Sequence, residues 1–519
     1  MINTLFKALI KFVSKMIKSI IAKRIEKKLG GYKIQLNKVD SSLPEKLSHE
    51  KSVGIFGGGL TGVSAAIFLA ERGFKVKIFE KEKYLGGKVG SWPVKFDDGF
   101  STQVEHGFHA FFKQYYNLRE LLKKIDAYRY LIPIDDYLIL TKEYGNYGFK
   151  NLNTVPVLNI LSMAKTGIYS YKDAMLNPGF RKMTSLLSYN REKTFSKYDN
   201  VSFKDFADDV KLPPEMRLMF TTFSRAFFAE PQYISMAELI KSFHSYFLSN
   251  DLGLLYDVLN DDFEETLWKP AKNYLSKYNS NLSLDSKINS FKIEGNQFVI
   301  NDERFDYAII ASDVKGTKSI IKDSDYFKNE HPEFFNQMTN LKQSQRYSVL
   351  RIWIDKDVRQ GVPFFIFTDA LKILDSVTTY HRMEKSSEEW VNKNGGGIFE
   401  LHSYAVPDDF PKEEIRDQFL KEFEEYFPEI KGYKIKYEYL QVKDDFTAFH
   451  TNLYKNRPTV KTDVENLFLA GDWVKLESPA MLMEAATTSA MVAANSIFQK
   501  EKLKEEPVLS VPLKGIFAG

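Results

Sequence analysis

The stretch that decides the fold reads Ser52-Val53-Gly54-Ile55-Phe56-Gly57-Gly58-Gly59-Leu60-Thr61-Gly62. Its first five residues predict a buried strand, and the apolar, alanine-rich run after Gly62 predicts a helix. Between them the backbone must turn sharply and stay open to a ligand, so Gly57, Gly59 and Gly62 remove side chains that would obstruct it. The unpaired N–H groups at the start of such a helix bind phosphate. The spacing predicts a dinucleotide site in a doubly wound α/β fold.

The residues that follow complete the same unit. Lys75–Phe79 predicts the second strand, and Glu80 ends it. An acidic residue about 20 positions after the glycines binds the ribose hydroxyls of a dinucleotide. Lys81 comes next, and Gly86-Gly87-Lys88 provides a second place where backbone can pass close to a cofactor. This order of strand, glycines, helix, strand and acid is more specific evidence for a dinucleotide site than a glycine-rich turn alone.

A second signature lies near the other end of the chain, Asn466-Leu467-Phe468-Leu469-Ala470-Gly471-Asp472-Trp473. A buried strand ends there at Gly471, and Asp472 supplies a carboxylate at its end. The ribityl chain of a flavin requires such a hydrogen-bond partner. The two signatures together predict a flavoprotein that binds FAD.

Composition is consistent with a large enzyme that has an apolar ligand site. The chain has 519 residues, which corresponds to about two to four domains. Hydrophobic residues make up 44%, with 42 Phe and 28 Tyr. Cysteine is absent, which excludes disulfides, cysteine-ligated iron–sulfur clusters and thiolate catalysis. His106 and His109 lack a partnering metal-ligand pattern, so no metal site is predicted.

Charge is concentrated at the N-terminus. The whole chain carries +4, whereas residues 1–29 hold eight Lys and Arg and one Glu, a net +7. The remainder is therefore mildly acidic, at −3, and no nucleic-acid partner is expected. Basic and apolar residues alternate with helical spacing, which predicts an amphipathic helix with a lysine face.

This helix has two interpretations. Lysines interrupt every apolar run well short of the roughly 18–20 residues that span a bilayer, and no secretory cleavage site follows. We expect the helix to lie on an anionic membrane surface, so that the protein is peripheral on the cytoplasmic side. The alternative is a helix packed on its own domain with solvated lysines.

The chain is predicted to divide as an α/β protein in which a substrate domain is inserted into a nucleotide domain. The Rossmann-like FAD-binding domain is assembled from separated segments, and the inserted substrate domain is α+β. The predicted segments are 1–31 basic amphipathic helix, 32–50 linker, 51–150 FAD-binding, 151–284 helical substrate domain, 285–320 FAD-binding, 321–455 substrate-domain sheet, 456–500 FAD-binding and 501–519 tail.

Several segments resemble the FAD-dependent carotenoid desaturases of the amine-oxidase-like flavoprotein superfamily, in particular the bacterial zeta-carotene-desaturase-like and isorenieratene-synthase-like proteins. They are Glu80 to Lys88, Val104 to Arg119, Ser224 to Ala229, Leu350 to Trp353, Glu400 to Val406, Arg457 to Trp473 and Met481 to Ser489. The Gly-x-His-x-Phe-Phe block at Gly107 to Phe112 is the most particular to the carotenoid branch. The resemblance covers about residues 51–500.

The resemblance and the motifs together define the expected site. The predicted FAD contacts are Gly57, Gly59, Leu60, Thr61, Gly62, Glu80, Lys81, Gly86, Gly87, Lys88, Ile288, Ala311, Ser312, Gly471, Asp472, Met481 and Met483. The candidates for proton handling are Glu105, His106, His109 and Arg225. A helix predicted to begin at Ser478-Pro479 would aim its N-terminus at the reduced flavin.

Three functions are compatible with the sequence. The first is FAD-dependent desaturation, or another oxidation, of a membrane-dissolved carotenoid or isoprenoid polyene, with hydride transfer to flavin N5 and a quinone or oxygen as electron acceptor. The second is an amine or porphyrinogen oxidase on the same fold. The third is a non-redox enzyme in which FAD assists carotenoid isomerisation. The Phe- and Met-rich segments and the basic helix favour the first.

Overall fold

The computed structural model describes residues 18–134, 136–150, 152–164, 170–252 and 255–518. Two large sheets organise this part of the chain. One is a five-stranded parallel sheet, here called the nucleotide sheet, and the other is a seven-stranded mixed sheet, here called the substrate sheet. The predicted fold class, an α/β protein with a Rossmann-like domain and an inserted α+β domain, is confirmed.

The nucleotide sheet is built from segments far apart in sequence. Every neighbouring pair in it is parallel, so each crossover must place chain on the faces of the sheet. Two helices, Leu60–Glu71 and Leu482–Lys500, pack against each other beside it. All residues of the first from Leu60 to Ala70 are buried. The strands, in spatial order, are Ser280–Ser283, Lys75–Phe79, Ser52–Phe56, Tyr307–Ile310 and Leu467–Leu469.

The substrate sheet is antiparallel except where Phe365–Thr368 runs parallel to Leu138–Leu140. Its central strands, Arg346–Ile354 and Gly397–Val406, are almost entirely buried, which requires cover on both faces. The strands, in spatial order, are Ile435–Lys443, Arg346–Ile354, Gly397–Val406, Ser376–Thr379, Phe365–Thr368, Leu138–Leu140 and Tyr147–Gly148.

The described residues also form four smaller sheets. Two have three strands: Phe111–Phe112, Tyr256–Leu259 and Leu131–Ile134 in one, and Phe291–Glu294, Gln297–Ile300 and Glu303–Phe305 in the other. Two have two strands: Ser91–Lys95 with Ser101–Glu105, and Ile34–Gln35 with Leu509–Ser510. The remaining α-helices are 18–29, Tyr116–Lys124, Leu158–Ala164, Tyr171–Leu176, Phe180–Met183, Arg191–Tyr198, Phe203–Asp209, Pro214–Arg225, Met236–Phe243, Lys269–Leu275, Val314–Lys322, Asp325–Glu330, Pro332–Thr339, Lys385–Asn394 and Ile415–Tyr426.

Some predicted boundaries differ from the structure. Strands Leu138–Leu140 and Tyr147–Gly148 lie in the substrate sheet, although they fall within the segment 51–150 that the sequence assigns to FAD binding. The C-terminal helix begins at Leu482 and not at Pro479. Ser478 does accept a bond from the Ala480 N–H, at 3.3 Å, but its hydroxyl also pairs with Ser510, so it closes a turn and not a helix.

The predicted basic helix is only partly described, because residues 1–17 lie outside the described ranges. Residues 18–29 are helical and mostly exposed. The Tyr32 hydroxyl donates to the Ala22 carbonyl at 3.2 Å, and Lys28 Nζ lies 5.1 Å from the ring centre of Phe517. In the part of the chain that the structure describes, no helix has the length and apolar character needed to cross a bilayer.

Candidate active site

A single cavity of about 800 Å³ touches both large sheets. Its wall has two parts of opposite chemistry. The nucleotide region is formed by Gly57, Gly59, Leu60, Thr61, Glu80, Lys81, Gly86, Gly87, Lys88, Ala311, Ser312, Gly471 and Asp472. The aromatic region is formed by Phe108, Phe112, Tyr115, Tyr137, Phe149, Met163, Met219, Phe223, Phe227, Tyr246, Phe247, Tyr256, Phe365 and Phe367.

Each glycine of the first motif is required for a different physical reason. Gly57 has φ +103°, a conformation that disfavours other residues. A Cβ on Gly62 would lie 1.9 Å from the Gly57 carbonyl oxygen, so this glycine is needed for the turn itself. A Cβ on Gly59 would meet no protein atom closer than 3.7 Å. Gly59 therefore keeps open a space that belongs to a ligand.

The helix that starts at Leu60 fits a phosphate. Its N-cap is Gly59, and no side chain of the described residues caps its first N–H groups. The first helical residues, Leu60 and Thr61, line the cavity. Free N–H groups and the positive end of the helix dipole therefore face the space that Gly59 leaves open. This arrangement fits the pyrophosphate of FAD.

Glu80 sits beside this turn as the sequence predicts. Its Oε2 accepts from the Gly58 N–H at 2.6 Å, and its Oε1 accepts from the Glu82 N–H at 2.8 Å. Burial raises the pKa of Glu80, while the two N–H donors act against that rise. Each carboxylate oxygen keeps a lone pair for a ribose hydroxyl. Glu80 therefore shapes the loop as well as offering an acceptor to the cofactor.

Asp472 is held between two other polar groups. Lys88 Nζ donates to its Oδ2 at 2.8 Å, and the Thr447 hydroxyl donates to its Oδ1 at 2.9 Å. The Lys88 pKa is raised by Asp472, although burial opposes this. The glycine pair before Lys88 and the Gly-Asp motif are thus joined by a charge-assisted bond. These groups fit the ribityl end of FAD.

Most of the predicted FAD contacts line the cavity. Gly62 and Met481 do not: Gly62 serves the turn, and Met481 is the N-cap of the helix Leu482–Lys500. Leu482, with φ +49°, and Met483 bring the start of that helix to the cavity wall. The residues that do line it are Gly57, Gly59, Leu60, Thr61, Glu80, Lys81, Gly86, Gly87, Lys88, Ile288, Ala311, Ser312, Gly471, Asp472 and Met483.

His106 is tied to a residue that sequence reasoning missed. Its Nε2 lies 2.8 Å from Asp445 Oδ2, and its ring stacks on Tyr347 with ring centres 5.6 Å apart. Burial acts to raise the Asp445 pKa, but His106 and Lys88 together hold it well below its usual range. The other ring nitrogen, Nδ1, is enclosed by protein and has no partner among the described residues. His106 lines the cavity without presenting a free nitrogen to it.

His109 is arranged differently. Its Nδ1 donates to the Gly107 carbonyl at 2.7 Å, which fixes the neutral tautomer with a lone pair on Nε2. Burial, with smaller contributions from the charges of His106 and Lys88, lowers the pKa of His109 to about 4, although the hydrogen bond to Gly107 acts to raise it. The imidazole is therefore neutral at physiological pH. His109 also lines the cavity, against the edge of Phe263.

Glu105 does not line the cavity. Its Oε1 accepts from the Phe263 N–H at 3.1 Å, and its Oε2 accepts from the Tyr380 hydroxyl at 3.0 Å. Burial raises the Glu105 pKa well above the usual range, and the nearby Glu384 adds to the rise. Arg351 lies in the same buried cluster. Glu105 therefore braces the contact between the small sheet at Ser101–Glu105 and the substrate sheet.

Arg225 is likewise a structural residue. Its Nε donates to Asp375 and its Nη2 donates to the Ala405 carbonyl at 2.8 Å. Both partners belong to the substrate sheet or its turns, and Arg225 is 5% exposed. Arg225 joins the end of the helix Pro214–Arg225 to that sheet. It is absent from the cavity wall.

The sequence motifs also missed the turn after the strand Ile435–Lys443. Asp445, Phe446 and Thr447 all follow this strand, and they contact His106, Phe228 and Asp472 respectively. The turn therefore ties the substrate sheet to the FAD motif. No short-range pattern marks these residues, because the partners of Asp445 and Phe446 are hundreds of positions away in the sequence and that of Thr447 is 25 positions away.

Comparison with known proteins shows the family to which the chain belongs. The family model described as flavin containing amine oxidoreductase matches residues 60–498. A carotenoid phi-ring synthase of Streptomyces griseus is 30% identical, over 89% of this chain and 91% of its own. A zeta-carotene desaturase of Synechocystis sp. is 24% identical, over 88% and 99%. The crystal structure of an oxidoreductase from Methanosarcina mazei superposes with a TM-score of 0.61 at 15% identity, covering 86% of this chain and all of that one.

The cavity wall combines a helix end that no side chain of the described residues caps, the carboxylate of Glu80 and the Gly471-Asp472 motif, and this set fits a flavin dinucleotide. The chain belongs to the flavin-containing amine oxidoreductase family. The predicted resemblance to FAD-dependent carotenoid desaturases is confirmed. The protein is an FAD-dependent oxidoreductase.

Proposed function

We propose that the protein oxidises a carotenoid by desaturation, using hydride transfer to N5 of bound FAD, at a membrane surface. The observation that carries this proposal is the continuity of the cavity, in which the aromatic region opens directly into the nucleotide region. Phe, Tyr and Met side chains form most of the aromatic region, which suits a long hydrocarbon. Relatives named carotenoid phi-ring synthase and zeta-carotene desaturase support the same substrate class.

The protein's own residues would act by position and by excluding water. The glycine turn, Glu80 and Asp472 would hold FAD, which supplies the two-electron oxidant when bound. The start of the helix Leu482–Lys500 lies at the cavity wall, where its N–H groups favour negative charge that develops on the oxidant. The aromatic region keeps the delocalised cation of the oxidised polyene away from water.

The relatives favour action on an end ring of the carotenoid. The relative at 30% identity is named for a ring, whereas the desaturases reach 24%.

Tyr115 and Tyr246 pair their hydroxyls at 2.6 Å and both line the aromatic region. Their polar atoms are therefore satisfied by each other, and the rings present apolar faces to the cavity.

Membrane docking is supported by exposed apolar side chains. Ile20, Leu161, Met175, Leu176 and Phe517 are exposed large hydrophobic residues. The helix Leu158–Ala164 carries Leu161 at the surface, 44% exposed, and Met163 in the cavity wall. A substrate dissolved in the bilayer could pass along this helix to the cavity. Each lysine of residues 1–29 near an anionic surface would add about 1 kcal/mol.

Anaerobic mixing of the holoenzyme with carotene-loaded liposomes tests the chemistry. We expect the oxidised flavin absorption to bleach with carotenes and not with simple amines. Pigment analysis in cells that accumulate phytoene, zeta-carotene or gamma-carotene then identifies the bonds that change. Bleaching by amines alone would indicate an amine oxidase. A carotene that changes geometry without bleaching the flavin would indicate an isomerase.

Removal of residues 1–29 tests the docking. We expect a folded, FAD-loaded protein that sediments less with anionic liposomes, and whose remaining binding falls as salt rises. Activity on liposome-borne substrate should fall, while activity in detergent survives. Unchanged sedimentation of the truncated protein would assign docking to other exposed residues, such as Met175 and Leu176.

A further inference from the structure

We propose that Nε2 of His109 accepts the proton that the carotenoid loses as the new double bond forms. This inference rests on the proposed function and adds a catalytic residue to it. Of the four residues that the sequence suggests for proton handling, Glu105 and Arg225 lie outside the cavity wall. The choice is therefore between His106 and His109.

The two histidines differ in which nitrogen is free. Nε2 of His106 is bonded to Asp445, and its Nδ1 is sealed by protein. In His109 the Nδ1–H is used by the Gly107 carbonyl, and no described residue bonds to Nε2. Among the described residues, Nε2 of His109 is not one of the polar atoms that protein encloses completely and leaves without a partner. This nitrogen is therefore accessible from open space. His109 lines the cavity, and from this we infer that its Nε2 faces the cavity.

Gly107 is part of this arrangement. Its φ is +149°, and a Cβ there would lie 2.1 Å from the Tyr347 hydroxyl oxygen. Only glycine lets the loop approach Tyr347 so closely while its carbonyl accepts from His109 Nδ1. The Gly-x-His sequence therefore fixes one tautomer of His109 and points the lone pair away from the loop.

The reaction balances with this assignment. One carbon loses a hydrogen together with two electrons to the flavin, and its neighbour loses a proton to His109 Nε2. The electron pair of the second C–H bond becomes the new π bond. A delocalised carbocation is a strong acid, so a weakly basic neutral imidazole is sufficient. The imidazolium then releases its proton to water after the product leaves, and a quinone or oxygen reoxidises the flavin.

Stopped-flow reduction with carotene-loaded liposomes compares the wild type, His109→Gln and His49→Gln, because His49 is exposed and does not line the cavity. We expect His109→Gln to slow flavin bleaching by about 10²–10⁴-fold. The FAD-to-protein ratio and carotene binding, measured by quenching of tryptophan fluorescence, should stay unchanged, and added imidazole should restore part of the rate. His49→Gln should match the wild type.

Bleaching at the wild-type rate in His109→Gln would overturn this inference and leave the proposed function intact. Failure of the wild type to bleach would overturn the proposed function itself, and this inference with it. Nitrogen-15 NMR of histidine-labelled holoenzyme gives a second measurement, independent of turnover. A neutral Nδ1–H tautomer that disappears in His109→Gln supports the assignment, and an Nε2–H tautomer overturns it.

Discussion

The nucleotide region and the aromatic region share one cavity, yet they are built in different ways. In the nucleotide region the backbone carries the function: a helix end without a side-chain cap and a turn opened by Gly59. In the aromatic region the side chains carry it, and they come from loops, helices and strands between Phe108 and Phe367. The first region depends on local geometry, and the second depends on how distant segments pack.

This difference predicts how each region responds to substitution. A change in the nucleotide region should affect the cofactor without affecting the apolar ligand. A change in the aromatic region should do the reverse. Residues that join the two sheets, such as Arg225, should affect stability and neither ligand directly.

The largest effect is expected from Gly59→Val. The Cβ of the new side chain makes only an ordinary contact, 3.7 Å from the Gly86 carbonyl oxygen, so the apoprotein should fold and unfold at nearly the wild-type temperature. It should nevertheless retain no FAD, because the side chain fills the phosphate space. The flavin-to-protein absorbance ratio and thermal unfolding of the apoprotein measure the two outcomes.

Gly62→Ala is the matched control for that prediction. Its Cβ would lie 1.9 Å from the Gly57 carbonyl oxygen, so this smaller substitution should lower the unfolding temperature of the apoprotein. Stoichiometric FAD in purified Gly59→Val would contradict the assignment of the open space to phosphate.

The next effect in size concerns the contact between the sheets. Arg225→Met leaves the buried Asp375 carboxylate without its ion-pair partner and should lower the free energy of unfolding by about 3–5 kcal/mol. Arg217→Met removes an exposed pair with Asp208 and should cost below about 1 kcal/mol. Chemical denaturation measures both. An unchanged unfolding midpoint together with lost flavin bleaching would instead make Arg225 catalytic.

A smaller, selective effect is expected from Met219→Glu in the aromatic region. A carboxylate placed in an apolar wall must shed its water or take up a proton. We expect at least about tenfold weaker carotene binding, equivalent to about 1.4 kcal/mol, with FAD retained. Met219→Leu keeps the volume and apolar character and should bind carotene normally. Loss of FAD from Met219→Glu, with carotene binding intact, would reverse the assignment of the two regions.

The smallest expected effect is that of pH on the flavin bleaching rate, which should hardly change above about pH 5. Burial lowers the pKa of His109 to about 4, so the imidazole is neutral at all higher pH values and keeps its lone pair. Lys88, His106 and His402 are the titratable groups that act on it, and burial lowers the His402 pKa to about 3. The flavin bleaching rate should stay level from pH 8 to about 5 and fall near pH 4.

A rate that falls tenfold between pH 7.5 and 5.5 would point to another base. Circular dichroism at each pH separates this from acid unfolding.

The candidates for proton handling show where reasoning from sequence ends. Glu105, His106, His109 and Arg225 all occur in segments that resemble one family, and nothing local distinguishes their roles. The structure separates them by partner: Tyr380 for Glu105, Asp445 for His106, Gly107 for His109 and Asp375 for Arg225. Three of these partners are far away in sequence, so only packing could reveal them.

The sequence by itself predicted the glycine turn and the helix end of the nucleotide region, because glycine spacing, strand length and helix dipole act within a few residues of one another. It also determined the fold class, since buried strands alternate with helices at both ends of the chain. Only the tertiary structure decided that the turn at Asp445–Thr447 joins the two sheets, and that Nε2 of His106 is paired with Asp445 whereas no described residue bonds to Nε2 of His109. Hydrogen-bond partners of buried side chains depend on contacts between distant segments, and those contacts exist only after the chain has packed.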